Sequence, residues 1–204
     1  MLPGTLILLL CMLAGLRGQW ACAADPYVPT EKELRKIRSK LAGLRKRLDK
    51  LWKKAALIRI PEDRFLDAEI YAKAGEWLLR YPGEFYDKSY VQKALKVLDT
   101  GLQRAAALEA GKAPWLQVTG RLARAYRSKI DGSIQPYGLV IPKNYDGKTP
   151  LRLDLVLHGR NGRLSEVSFL AKHDSPQPPT RKHFELHVFG RTNNAYRWAG
   201  EVDV

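Results

Sequence analysis

From Leu34 onward, apolar residues recur at Leu34, Ile37, Leu41, Leu44, Leu48, Leu51, Ala55 and Ile58. Spacings of three and four residues put these side chains on one stripe, the seam of an amphipathic helix or a coiled coil. Thr30 suits the N-cap of that helix, with Glu33 three residues on in a capping-box pattern, and Pro61 ends the run. A second helix is predicted over Glu62–Arg80, with Leu66, Ile70, Ala74, Trp77 and Leu78 on one face and Tyr81-Pro82-Gly83 at its end. A third, over Lys88–Glu109, aligns Val91, Leu95, Leu98, Leu102, Ala105 and Leu108 and stops before Gly111. No internal repeat of fixed period is present, so the sequence does not support a solenoid.

Past Pro114 the period changes. Arg121 to Ile130 alternates weakly and meets Asp131-Gly132, a hairpin turn signal. Gln135–Ile141 reads as a strand closed by Pro142, and a turn follows at Asn144-Tyr145-Asp146-Gly147. The next strand, Leu151–Leu157, ends in continuous apolar residues, the pattern expected of a strand buried on both faces. It runs into His158-Gly159-Arg160-Asn161-Gly162, a helical stretch over 164–170, a proline-rich loop at 175–179 and a strand over 184–189. By content the fold class is α+β. The expected segments are a leader over 1–23, a basic amphipathic helix over 24–60, a helical region over 61–113 and a strand-rich region over 114–204, the helices forming an arm or a small bundle.

Charge refines the first helix. The net charge is +14, and Asp25 to Ile60 holds twelve Lys or Arg against four Asp or Glu. With Leu34 as heptad position a, the flanking e and g sites carry Arg38, Lys40, Arg45, Arg47 and Lys54. A parallel homodimer would oppose like charges, so the helix is expected to pack on its own chain, meet an acidic partner or lie on an anionic surface. Nucleic acid is not an expected partner, because no aromatic stacking pattern accompanies the charge.

Leu6–Leu16 is an apolar run too short to span a bilayer, and Ala21-Cys22-Ala23 supplies a small-x-small cleavage pattern, so export with a mature start near Ala24 is expected. Acylation of Cys22 or retention of an uncleaved anchor are the alternatives. Both cysteines, Cys11 and Cys22, lie in this leader, which leaves the mature chain without disulfides or thiolate chemistry. His173, His183 and His187 show no ligand spacing, and neither a metal nor a cofactor is expected.

The words DGSIQPYGLVIPKNYDG, LDLVLHGRNG and FGRTNNAYRWAGEVDV, from about Ala123 to Val204, resemble the opening strands of secreted α/β-hydrolases of the prolyl-oligopeptidase-like and esterase-like type. The resemblance implies an incomplete hydrolase sheet holding the first strands only. It also implies that the loop after the third strand supplies half of an oxyanion hole, through the backbone N–H of Arg160 or of Asn161, with Gly159 giving backbone access. His158 is then a loop-shaping residue, and Arg191, Asn193, Asn194 and Trp198 border the active site. The alternative for these positions is a strand-to-loop turn at His158-Gly159 and an asparagine-rich turn after the last strand. Asp203 is expected to cap the helix that follows that strand.

No Gly-x-Ser-x-Gly occurs in the sequence, and Ser128, Ser133 and Ser165 have no such turn around them. Nucleophile, acid and catalytic histidine are therefore not expected within these residues. The leading expectation is a fragment of an exported serine hydrolase of ester or peptide bonds, inactive as it stands. The alternative is a non-catalytic exported binding module whose basic helix docks to anionic polymer, lipid or an acidic partner.

Overall fold

The computed structural model describes residues 25–58, 60–174, 182–192 and 196–203. The leader, with Cys11 and Cys22, and the pair Asn193 and Asn194 lie outside the described residues. Helix α1 spans Glu31–Ile58, α2 Glu62–Arg80 and α3 Ser89–Glu109. The capping box at the start of α1 forms: the Glu33 N–H donates to Thr30 Oγ1 at 3.3 Å and the Thr30 N–H to Glu33 Oε2 at 2.8 Å. Ile37, Leu44, Leu48 and Leu51 are fully enclosed between α1 and its neighbours, each burial contributing about 1.5–3 kcal/mol.

The cations beside that seam find their acids on the same chain. Lys40 pairs with Asp99 of α3, Arg47 Nη1 with Glu109 at 2.5 Å, and Arg45 grips Glu76 of α2 with Nη2 at 2.6 Å and reaches Glu69 at 3.3 Å. Half-exposed pairs of this kind contribute about 1 kcal/mol or less each. Their role is register: they place α1 across α2 and α3 while its other basic positions stay in solvent.

Four strands follow, β1 Gly120–Arg127, β2 Ile134–Ile141, β3 Leu153–Val156 and β4 Phe184–Val188, with α4 Glu166–His173 between β3 and β4. The sheet order is β1-β2-β4-β3. β1 pairs antiparallel with β2, and β2 antiparallel with β4 (Tyr137 opposite Val188), while β3 and β4 run parallel with Val156 opposite His187. α4 is the crossover of the parallel pair. A last short helix, α5 Ala199–Val202, follows β4. α1, α2, α3, β1 and α4 all contribute to one continuous apolar core, so the helical and strand-rich segments are packed together rather than strung apart. The fold is mixed α+β.

Two expectations are corrected. β3 is not buried on both faces: it is an edge strand, with Leu153, Leu155 and Leu157 57, 49 and 52% exposed. Its apolar run reflects a sheet face that no described helix covers, because α2 and α4 pack against the other face. Asp203 is not an N-cap either: α5 ends before it, and its carboxylate accepts from Arg191 Nε at 2.5 Å and Ser128 Oγ at 2.7 Å.

The close seat of α4 on the sheet depends on Gly138. A Cβ there would lie 2.3–2.6 Å from three ring atoms of His173, and that ring is backed by Phe169 (centroids 4.4 Å) and His187 (4.8 Å). A rigid ring held on both sides cannot yield as a flexible chain end does. Gly138→Ala is expected to cost about 1–3 kcal/mol in urea unfolding, with recovery in the Gly138→Ala/His173→Ala pair. Additive losses in the double variant would refute the steric account.

Candidate functional site

The carboxyl ends of β3 and β4 open into a cleft of about 800 Å³, and open α/β sheets place ligands at that end of their strands. The β3–α4 loop forms one wall. Its shape is set locally: Asn161 Oδ1 accepts from the Arg163 N–H at 3.0 Å, the Asn161 carbonyl from the Leu164 N–H at 3.1 Å, and Tyr90 Oη of α3 donates to the Arg163 carbonyl at 2.6 Å. The loop enters α4 through Ser165, whose Oγ accepts from the Ser168 N–H while Ser168 Oγ accepts from the Ser165 N–H.

His158 stands at the head of the loop. Its Nδ1 lies 2.9 Å from the Gly159 carbonyl and its Nε2 2.9 Å from the Phe189 carbonyl, so the side chain ties the end of β3 to the end of β4. A neutral imidazole has one N–H and satisfies one of these carbonyls, whereas an imidazolium satisfies both. The His158 N–H donates to Tyr196 Oη at 2.8 Å, and that hydroxyl donates to the Val188 carbonyl at 3.2 Å. Tyr196 reaches this position only because Gly190, at φ 59°, has no Cβ: one would stand 2.4 Å from the tyrosine ring.

Among the described residues nothing approaches a notional Cβ at Gly159, and the Arg160 N–H, like those of Gly159 and Gly162, donates no hydrogen bond. The loop therefore offers a short run of backbone donors, Arg160 among them, beside the open space at Gly159. Asn161 is engaged in shaping the loop.

The floor is an aromatic cluster of Phe169 and His173 from α4 and His187 from β4, backed by Phe189 just after β4, with Phe169–Phe189 centroids 5.1 Å apart. His173 is 1% exposed and its Nδ1 has no hydrogen-bond partner among the described residues. Burial, reinforced by His187 and then by the charges of Lys172 and Arg121, pushes its pKa down to about 3. Burial also lowers that of His187, against the opposing pull of Glu185, whose Oε2 is 3.1 Å away. Opposite stand Asp87, Tyr90 and Lys93 at the start of α3. The Ser89 hydroxyl and N–H hold the Asp87 carboxyl below its ordinary range, helped by the charges of Lys93 and Arg163.

Of the residues expected to border the site, Arg191 and Trp198 do not line the cleft. Arg191 pairs with Asp131 (Nη1–Oδ2 2.6 Å) and Asp203 and donates to Ser128 Oγ at 2.9 Å, tying the segment after β4 to the β1–β2 turn. Trp198 is 75% exposed. Arg191, Thr192, Tyr196 and Trp198 all have φ between 52 and 74°, a left-handed conformation that non-glycine residues rarely adopt, so strain is concentrated beside the cleft.

Sequence reading missed Tyr90, Lys93, Lys172 and the inward His173. The one available signal was the four-residue spacing of Phe169 and His173, which shares a helix face. Among the described residues no serine hydroxyl is hydrogen-bonded to a histidine, no group of three or more His, Cys, Asp or Glu side chains could hold a metal, and no helix is long and apolar enough to cross a membrane. No protein-family model, curated protein or solved structure matches the chain.

Proposed function

We propose that this chain is the opening part of an exported serine hydrolase of the α/β-hydrolase type, cleaving ester or peptide bonds, with nucleophile, acid and base supplied by polypeptide outside these residues. The observation that carries the reading is the Arg160 N–H, without an acceptor among the described residues, on the loop between the third strand and its helix, at the carboxyl end of a parallel pair. That loop is where such a hydrolase holds one of its two oxyanion donors, the other belonging to the residue after the nucleophile. In acyl transfer, negative charge builds on the former carbonyl oxygen, and a donor fixed beforehand stabilises it without reorganising. The Tyr90, Asn161 and Ser165 hydrogen bonds supply that fixation. The free edge of β3 and its uncovered leucine face are where the remaining strands and helices would pack, because parallel sheets bury both faces.

The binding-module alternative draws on the same basic helix, but the apolar seam of α1 is spent on its own bundle. Only electrostatic docking through its exposed lysines is left to it.

The test is to extend the product past Val204 in its own reading frame and treat it with a fluorophosphonate. One labelled serine in a Gly-x-Ser-x-Gly turn is expected. In that product Arg160→Pro should lower kcat about 10²–10³-fold with KM nearly unchanged, and Asn161→Pro should not match it. An extended product with no such turn and no label would sink the reading.

A further inference from the structure

The described wall of the cleft carries more positive than negative charge. Lys93 of α3, Arg160 and Arg163 of the loop and Lys172 of α4 converge on it, and among the described residues Asp87 is the one carboxylate in its wall. Asp87 is already occupied, accepting the Ser89 N–H at 2.8 Å and the Ser89 hydroxyl. None of the four cations forms an ion pair among the described residues; Lys93 lies over the Tyr90 ring, 4.1 Å from its centroid. Elsewhere Arg45, Arg47, Lys73, Arg104, Arg124, Arg127 and Arg191 each hold an acid. Asp87 offsets part of this charge, lying near Lys93 and Arg163; the excess that remains in one concavity favours a bound anion.

We propose that the cleft binds a substrate carrying a carboxylate, with Arg160 and Arg163 as its principal partners. This rests on the hydrolase reading and names the substrate class for it. Arginine is suited to the task because its planar fork matches a carboxylate in two parallel hydrogen bonds. Both arginines sit on the loop that bears the Arg160 N–H, so the substrate's charge and its reacting carbonyl are held by one short segment. The aromatic floor of Phe169 and His173 supplies the apolar complement between them.

The experiment is calorimetric titration of the chain at low ionic strength with N-acetyl-L-glutamate and its neutral counterpart N-acetyl-L-glutamine. The acid should bind about tenfold tighter or more. Arg160→Gln/Arg163→Gln should abolish that preference without moving the thermal midpoint. Lys46→Gln/Lys50→Gln, which removes equal charge from the exposed face of α1, should leave the preference intact. Equal binding of the two probes, or the same loss in the α1 variant, would overturn the proposal. Inorganic phosphate binding as tightly as the acid would also overturn it, by marking a general oxyanion site. Because the titration reads binding and not turnover, these results leave the fluorophosphonate test of the hydrolase reading to stand or fall separately.

Discussion

Asp67→Ala is expected to remove about 3–5 kcal/mol of stability, the largest loss from any single truncation described here. Asp67 lies in the middle of α2, wholly buried, where an unpaired carboxylate would be prohibitive. It is held by four donors' worth of geometry around two oxygens and its own carbonyl. Oδ1 accepts the Ala125 N–H at 3.0 Å; Oδ2 accepts Trp115 Nε1 and Arg124 Nε, both at 2.9 Å; Arg104 Nη1 donates to the Asp67 carbonyl at 3.0 Å. Arg104 continues to Asp174 at 3.2 Å, and Tyr71 Oη donates to the same carboxylate at 2.5 Å. Burial raises the pKa of both aspartates, with Arg124 opposing it at Asp67 and Arg104 at Asp174.

The consequence reaches the sheet. β1 is an edge strand, and its outward N–H groups at Ala123 and Ala125 are taken by Asp174 (3.4 Å) and Asp67. Truncating Asp67 leaves Arg124 and Trp115 without their buried acceptor and frees a pairing template on β1. Urea unfolding should show the loss, and amide exchange at Ala125 should accelerate with it. Asp67→Leu/Arg124→Met should recover part of the stability, because replacing both members of a buried pair is far milder than orphaning one. A loss below about 1 kcal/mol for Asp67→Ala would show that the network does not carry the edge.

Acid should destabilise the fold through His173. Its pKa is depressed to about 3 from an ordinary 6.5, so the folded chain binds this proton more weakly than the unfolded chain. The contribution is therefore fully present above about pH 6.5 and is lost progressively as pH falls toward 3, at up to about 1.4 kcal/mol per pH unit and about 4–5 kcal/mol in all. The cause is first burial, with Nδ1 facing the backbone at Gly138 and no acceptor for a proton among the described residues; His187, Lys172 and Arg121 then add like charge. Asp67, Asp174 and Glu166, whose pKa values burial raises, act with the opposite sign, since they hold protons more firmly when folded. The difference between wild type and His173→Leu isolates the histidine. Wild type should lose about 3 kcal/mol more than the variant between about pH 7 and pH 4, by urea titration at each pH. Parallel stability curves for the two proteins would remove His173 from the account.

The three helices were legible in the sequence because a period of three and four residues, a capping box at Thr30-Glu33 and the breaks at Pro61 and Tyr81-Pro82-Gly83 are local properties of the chain. The hairpin was legible for the same reason, Asp131-Gly132 being a turn signal in itself. The loop His158–Gly162 could be placed after a strand and before a helix. The sequence left open which strands are neighbours. The run Leu153-Asp154-Leu155-Val156-Leu157 suits a central strand or an edge strand equally, and only the insertion of β4 between β2 and β3 made it an edge.

The sequence reading likewise gave no role to Asp67 or Asp174, and expected Arg191 to border the active site and Asp203 to cap a helix. Their partners are 12 residues away or 37 to 103 residues away, at separations where no periodicity relates one position to another. The cleft has the same origin: Lys93, Arg160, Arg163 and Lys172 are scattered in the chain and meet only because α3, the β3–α4 loop and α4 pack around one end of the sheet. Local spacing determined which segments would be helix, turn or strand. Long-range packing alone decided which charges would be buried, which edge closed and which side chains would share a site.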